Sequence, residues 1–232
     1  MGQADARVLD KSQIRDAASV ILVRKMAEGP AILMGQRGKT AAFMPSKFVF
    51  PGGAVDEVDA TIPLARQPLV GCAEALSALS NLSAQALIAA ATRELWEETG
   101  LLLGRPASEA DDEALAAPPG WRGYLATGMR PDGAAMRFVF RAITPPGRPR
   151  RFDARFFLVD AEALRSVPDD FSGAEDELSH LQWVPLSEAR SFDMPFITEV
   201  VLAEIAAHLE GRNHPGVPFF DNSGEESRFE RL

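Results

Sequence analysis

Residues 93–100 read "RELWEETG", three glutamates and an arginine within eight positions of a chain that is already acidic. On a helix, Glu94, Glu97 and Glu98 stand at i, i+3 and i+4, so their carboxylates project from neighbouring positions on one face. Each like-charge pair costs roughly a few tenths of a kcal/mol, and crowded carboxylates raise one another's pKa values. A divalent cation removes the conflict. Clustered carboxylate oxygens suit a hard ion, Mg²⁺ or Mn²⁺, of the kind that bridges to phosphate oxygens. The plainer alternative is a solvated acidic helix face, the common meaning of a bare EXXEE pattern. Context weighs against it: Arg93 and Glu97 form an i, i+4 pair that holds one carboxylate in place, and Gly100 ends the helix directly after the cluster.

Outward from this stretch, "SAQALIAAATRELWEETG" (83–100) puts Leu87, Ile88, Ala91 and Leu95 at helical spacing, with Ser83 as N-cap and Gly100 as C-terminal stop. Upstream, "SKFVFPGGAVDEVDA" (46–60) gives a short aromatic strand ending at Pro51, then Gly52 and Gly53, which free the backbone to turn sharply and bring N–H groups near a phosphate. "ASVILVRK" (18–25) and "AILMGQR" (31–37) predict a β-hairpin with Gly29 and Pro30 at the turn. Residues 60–82, with a short helix in "CAEALSAL", read as an inserted excursion, and "PASEADDEALAAPPGWRG" (106–123) as loop or a short helix ended by prolines. Strands are predicted at 135–145 and 154–161, joined by "PGRPRRFD", and "HLQWVPLSEA" (180–189) gives a last strand running into a short helix. A helix over 197–210 closes one face. The expected fold is α/β, a mixed sheet with helices packed on it. One domain spans 16–210, with an N-terminal extension at 1–15 and an aperiodic C-terminal tail at 211–232.

The composition bounds the function. With 232 residues, 46% of them hydrophobic, the chain can bury one substantial core. A net charge of -9 argues against a general nucleic-acid or membrane-surface binder. The single cysteine, Cys72, excludes an intrachain disulfide and a Cys-based zinc site, and no histidine pair stands at ligand spacing. No apolar stretch reaches the roughly 20 residues of a membrane span. A soluble protein of the reducing cytoplasm is expected.

The segment "PGGAVDEVD" followed by "RELWEETGL" resembles the Nudix box: Gly53, Arg93, Glu94, Leu95, Glu97, Glu98, Gly100 and Leu101 match its pattern. Asp59 stands where the pattern has Glu, and Asp59 and Arg93 are 34 positions apart where the pattern has eight, so the box is interrupted between its loop and its helix. As an ordered series, "FVFPGGAVDEVDA", a long insertion, "RELWEETGLLLGRP" and "ITPPGRPRRFDARFFLV" are similar to the interrupted-box branch that includes the peroxisomal coenzyme A diphosphatase.

The resemblance implies a Nudix-type α/β/α sandwich and a pyrophosphohydrolase acting on a small-molecule nucleoside diphosphate derivative, coenzyme A or an acyl derivative among the candidates. It implies Glu94, Glu97 and Glu98 as ligands of Mg²⁺ or Mn²⁺, Arg93 as their orienter, and Gly52 and Gly53 as a substrate loop. A further acid is expected in "GAEDELSHLQW": Glu177 is the first choice as a catalytic group, with Glu175 and Asp176 as rivals and a solvated acidic loop as the plain alternative. Arg148, Arg150 and Arg151, with Arg155 nearby, offer paired donors suited to phosphate, such as the 3′-phosphate of coenzyme A. Arg37 and Lys39 are weaker candidates of the same kind. Trp96 and Trp183 read as core or pocket-lining residues, Trp121 and Tyr124 as part of a ligand wall, and Cys72 has no base beside it. No nucleic-acid or membrane partner is expected, and a homodimer is compatible with the reading. The competing functions are a catalytically silent Nudix domain that senses a nucleotide and an interaction protein with a merely acidic helix.

Overall fold

The computed structural model describes residues 13–41, 43–78, 80–108, 117–212 and 214–232. The run "ASVILVRK" forms the middle of β1 (Ile14–Met26), which folds back into β2 (Gly29–Arg37). The turn consists of Ala27 and Glu28. Gly29 and Pro30, expected in the turn, instead begin β2 and face Met26 and Lys25, because Gly29 at φ +119° lets the chain rejoin the ladder at once. Short strands β3 (Phe48–Val49) and β4 (Gly52–Ala54) follow; β3 pairs with β2, and β4 pairs with β1. Helix α1 (Val70–Ser77) lies in the 60–82 segment, and α2 (Ala84–Thr99) carries the acidic stretch. A two-stranded ribbon of β5 (Arg105–Pro106) and β6 (Met129–Arg130) flanks a single helical turn at Arg122–Leu125. Residues 109–116, the middle of the predicted loop, lie outside the described residues, as do residues 1–12 of the predicted extension.

The remaining strands are β7 (Arg137–Ile143), β8 (Arg151–Asp160) and β9 (Leu178–Pro185), followed by α3 (Phe196–Leu209). Strand β8 starts at Arg151, three residues before the predicted start. The tail, expected from its lack of periodicity to be partly disordered or strapped over the surface, supplies β10 (Pro218–Asp221) and β11 (Arg228–Arg231). The large sheet runs β11-β10-β7-β8-β1-β2-β3, with β9 also on β2. It is mixed: β1 lies parallel to β8, while β7 and β2 are antiparallel to β8 and β1 respectively.

Strand alternation divides the core in two. Val20 and Leu22 of β1, with Phe157 and Val159 of β8, meet Leu87, Ile88, Ala91 and Leu95 of α2. Ile21 and Val23, with Phe156 and Leu158, meet Val201, Leu202 and Ile205 of α3 on the opposite face. The result is the expected α/β/α arrangement. Helix α2 is buried on its far side too, where its small Ala89 lets Ile62, Trp121 and Tyr124 approach closely. None of the described helices is long and apolar enough to cross a membrane.

Candidate active site

Helix α2 begins and ends as its sequence dictates. Ser83 Oγ accepts the Ala86 N–H at 3.1 Å, and Gly100 closes the helix in the left-handed region at φ +71°. The packing of Leu87, Ile88, Ala91 and Leu95 on the sheet sets the rotation that brings Arg93, Glu94 and Glu98 against β4.

Arg93 is buried and organises the cluster. Its Nε and Nη2 grip both oxygens of Asp59 at 3.0 Å each, and Nη2 also donates to the Ala54 carbonyl at 3.0 Å. Its Nη1 donates to Glu94 Oε1 at 2.8 Å and to Glu97 Oε2 at 3.0 Å. All five guanidinium hydrogens therefore have acceptors. Asp59 is fully buried and carries four hydrogen bonds: two from Arg93, one from Trp121 Nε1 at 2.8 Å and one from the Asp56 N–H at 2.9 Å. The fold thus returns Asp59 to Arg93 despite the 34 intervening positions. Trp121 and Tyr124, expected in a ligand wall, are completely buried. Trp121 holds Asp59, and Tyr124 donates to the Leu103 carbonyl, so both support the cluster from behind.

The three glutamates differ in burial. Glu98 is only 2% exposed, and its Oε2 accepts the Gly52 N–H at 2.7 Å. Its Oε1 is buried with no hydrogen-bond partner among the described residues. Burial pushes the Glu98 carboxyl well above the ordinary carboxylate range, with the charges of Glu94 and Glu177 adding to the rise. Burial likewise pushes Glu94 up to about 7 against the pull of Arg93, and raises Glu97. The glycines make this approach possible. A Cβ on Gly53 would stand 2.4–2.6 Å from the Glu94 carboxylate, and one on Gly52 would strike the Ala18 carbonyl at 2.5 Å.

Among the described residues, no three carboxylate, imidazole or thiolate groups already stand as a metal-ligand set. Arg93 holds one oxygen of Glu94 and one of Glu97, and leaves the second oxygen of each untouched. The donor chemistry nevertheless fits a hard divalent cation: three crowded carboxylates, raised pKa values that an adjacent positive charge would relieve, and an orphaned oxygen on Glu98.

Gly52, Gly53 and Glu94 open onto a cavity of about 480 Å³, which Glu177, Arg37, Arg148 and Arg150 also line. Glu177 is half exposed, ion-paired to Arg37 Nη2 at 2.6 Å. Of its rivals, Glu175 donates its backbone N–H to the Glu97 carbonyl, and Asp176 does not reach the cavity. Arg151 departs from expectation. It is buried, and its Nε and Nη2 bond the carbonyls of Thr144, Asn222 and Ser223, so it straps the tail to the β7–β8 turn and does not face the cavity. Arg155 is likewise internal, paired with Asp16 and Asp153. Sequence reasoning missed Trp121 as the partner of Asp59 and the tail residue Phe220 as a cavity wall; neither carries a local signal.

A family model described as the NUDIX domain matches residues 13–205. The chain belongs to the Nudix family. Its likeness extends to a Caenorhabditis elegans protein bearing the nudix hydrolase 7 name, 31% identical over 188 residues; the match takes in 76% of this chain and 53% of that protein, so the chain spans about half the length of this relative. The crystal structure of a NUDIX hydrolase from Alicyclobacillus acidocaldarius superposes with a TM-score of 0.62 at 28% identity, covering 84% of this chain and 92% of that one. The residues that resemble the Nudix box, Gly53 and Asp59 upstream and Arg93, Glu94, Glu97 and Glu98 on α2, lie together around the Arg93 cluster.

Proposed function

We propose that this Nudix domain hydrolyses a diphosphate linkage in a nucleoside diphosphate derivative with the help of Mg²⁺ or Mn²⁺. The observation that carries the reading is the Glu98 carboxylate, buried beside the Gly52–Gly53 loop with one oxygen bonded and the other orphaned. A structural acid in such a place would have a partner for each oxygen. Glu94, Glu97 and Glu98 would hold the ion, which would neutralise diphosphate charge and lower the pKa of water, making its deprotonated, nucleophilic form available near neutral pH. Arg93, anchored by Asp59 and Trp121, keeps Glu94 and Glu97 from splaying apart. Glu177 lines the same cavity and is suited to accept a proton from water, with Arg37 orienting its carboxylate.

Coenzyme A or an acyl derivative is the specific substrate proposed, supported by Arg148 and Arg150, which line the cavity at the β7–β8 turn where a remote phosphate would be met. A cytoplasmic setting goes with that substrate. The test is turnover with Mg²⁺ on coenzyme A, 3′-dephospho-coenzyme A, ADP-ribose, NADH and dinucleoside polyphosphates. Cleavage that requires metal and disappears in Glu98→Gln supports the hydrolase, and Mg²⁺-independent binding without cleavage of any of them supports a nucleotide sensor. A preference for coenzyme A over its 3′-dephospho form that shrinks tenfold or more in Arg148→Ala or Arg150→Ala supports the remote-phosphate contact.

A further inference from the structure

The cavity does not end at the carboxylates. Ser19 of β1 faces Gly52, and Arg15 lies four residues earlier on the same strand, so the cavity extends about 13 Å along β1 at roughly 3.3 Å per residue. Along that length its floor is β8, where Phe152 and Phe156 pair in register with Arg15 and Ser19. Phe196 and Ile197 at the start of α3 and Phe220 of β10 form the walls. The exposed Arg15, Arg148 and Arg150 mark the outer end.

Thr144, Asn222 and Ser227, which line this stretch, already have hydrogen-bond partners within the fold. Thr144 Oγ1 accepts the Phe152 N–H at 3.0 Å, Asn222 Nδ2 donates to the Ile143 carbonyl at 2.9 Å, and Ser227 Oγ donates to Asn222 Oδ1 at 2.6 Å. Between the glycines and those arginines, a polar substituent would lose water and gain few partners, whereas an apolar one would lose nothing. Exposed aromatic surface at the rim points the same way: Phe196 is 68% exposed and packs edge-on against Phe220. Phe220 comes from the C-terminal segment, beyond the residues that the family model matches. It is held in place by the pairing of β10 with β7 and by the grip of Arg151 on the Asn222 and Ser223 carbonyls.

We propose that the C-terminal strand completes an apolar compartment, built around Phe152, Phe196 and Phe220, that binds an aliphatic substituent carried on the diphosphate and thereby sets substrate preference. The inference rests on the hydrolase reading only for its placement of the diphosphate, and it competes with the remote-phosphate contact, which would bring the nucleoside arm to the same arginines. It is tested by calorimetric titration of the full chain with Mg²⁺ and two uncleavable probes, the hexyl and methyl esters of α,β-methylene-ADP. Each buried methylene is worth about a fourfold gain in affinity, so the hexyl ester is expected to bind at least tenfold more tightly. That gap is expected to close in Phe220→Ala and also in Phe196→Ala, whose exposed side chain the fold does not need. Equal affinity of the wild type for the two esters, or a gap that survives both substitutions, overturns the proposal. Because the readout is binding, a persisting gap without turnover of any diphosphate sinks the hydrolase reading alone, and turnover without a gap sinks the compartment alone.

Discussion

Arg93 directs all five of its donors at fixed acceptors, and its chief partner, Asp59, has no exposed surface. That packing leaves no room for a longer acid. Asp59→Glu, although it supplies the residue of the Nudix pattern, is expected to destabilise the protein by about 1–3 kcal/mol through overpacking, read as a lower midpoint in urea or thermal unfolding. Equal or higher stability would show that the pocket adapts. Glu98 behaves differently because burial already favours its protonated form, which glutamine mimics in shape. Glu98→Gln is expected to keep or raise the melting temperature of the metal-free protein, to abolish the rise that Mg²⁺ or Mn²⁺ gives the wild type, and to lower kcat/KM at least about 100-fold. An undiminished metal-induced rise in that variant would remove Glu98 from the ligand set.

Elements meet the site through two glycines. Gly53→Ala leaves the ladder between β4 and β1 possible, yet its Cβ falls within 2.6 Å of all three terminal atoms of the Glu94 carboxyl. The clash forces the carboxylate out of the position in which Arg93 holds it. A displacement of about 1 Å at a reacting centre costs on the order of 100-fold in rate, and the far-ultraviolet circular dichroism is expected to stay unchanged. A variant with near wild-type turnover would show that Glu94 is not positioned through this contact. Helix α2 was legible in the sequence down to its caps, because Ser83, Gly100 and the Leu87–Leu95 spacing are local signals. The glutamate face and the Gly52–Gly53 turn were legible for the same reason. The Trp121–Asp59 bond was not, since it joins residues 62 positions apart. Arg151 read as a phosphate ligand because charge alone does not reveal burial. The tail strands were missed because β10 offers only four residues, whose burial depends on the edge of β7.

For the molecule as a whole, the buried carboxylates link stability to pH. Glu94 is raised from 4.5 to about 7. Below pH 4.5 the group is protonated in both folded and unfolded chains. As pH rises toward 7 the unfolded chain ionises freely while the folded one resists, so stability falls through that window and levels off above it. The loss from this group is on the order of 3 kcal/mol. Metal-free melting temperatures are therefore expected to drop between pH 5 and 7.5, less steeply in Glu94→Gln, and saturating Mg²⁺ is expected to flatten the wild-type profile. A metal-free profile that rises over this range in wild type relative to Glu94→Gln would contradict the assignment.

The pairing of β1 with β8 has a kinetic consequence. Ile14 meets Arg151 and Val23 meets Asp160, so each contact of this central ladder closes a loop of 137 residues. Until that closure occurs, β1 has only the hairpin partner β2 and the short β4, and neither α2 nor α3 has a finished sheet to pack on. High contact order slows folding. During synthesis, the whole stretch from Ile14 to Asp160 must leave the ribosome before the centre of the sheet exists, and the aromatic strand β8 is the last piece of that centre to arrive.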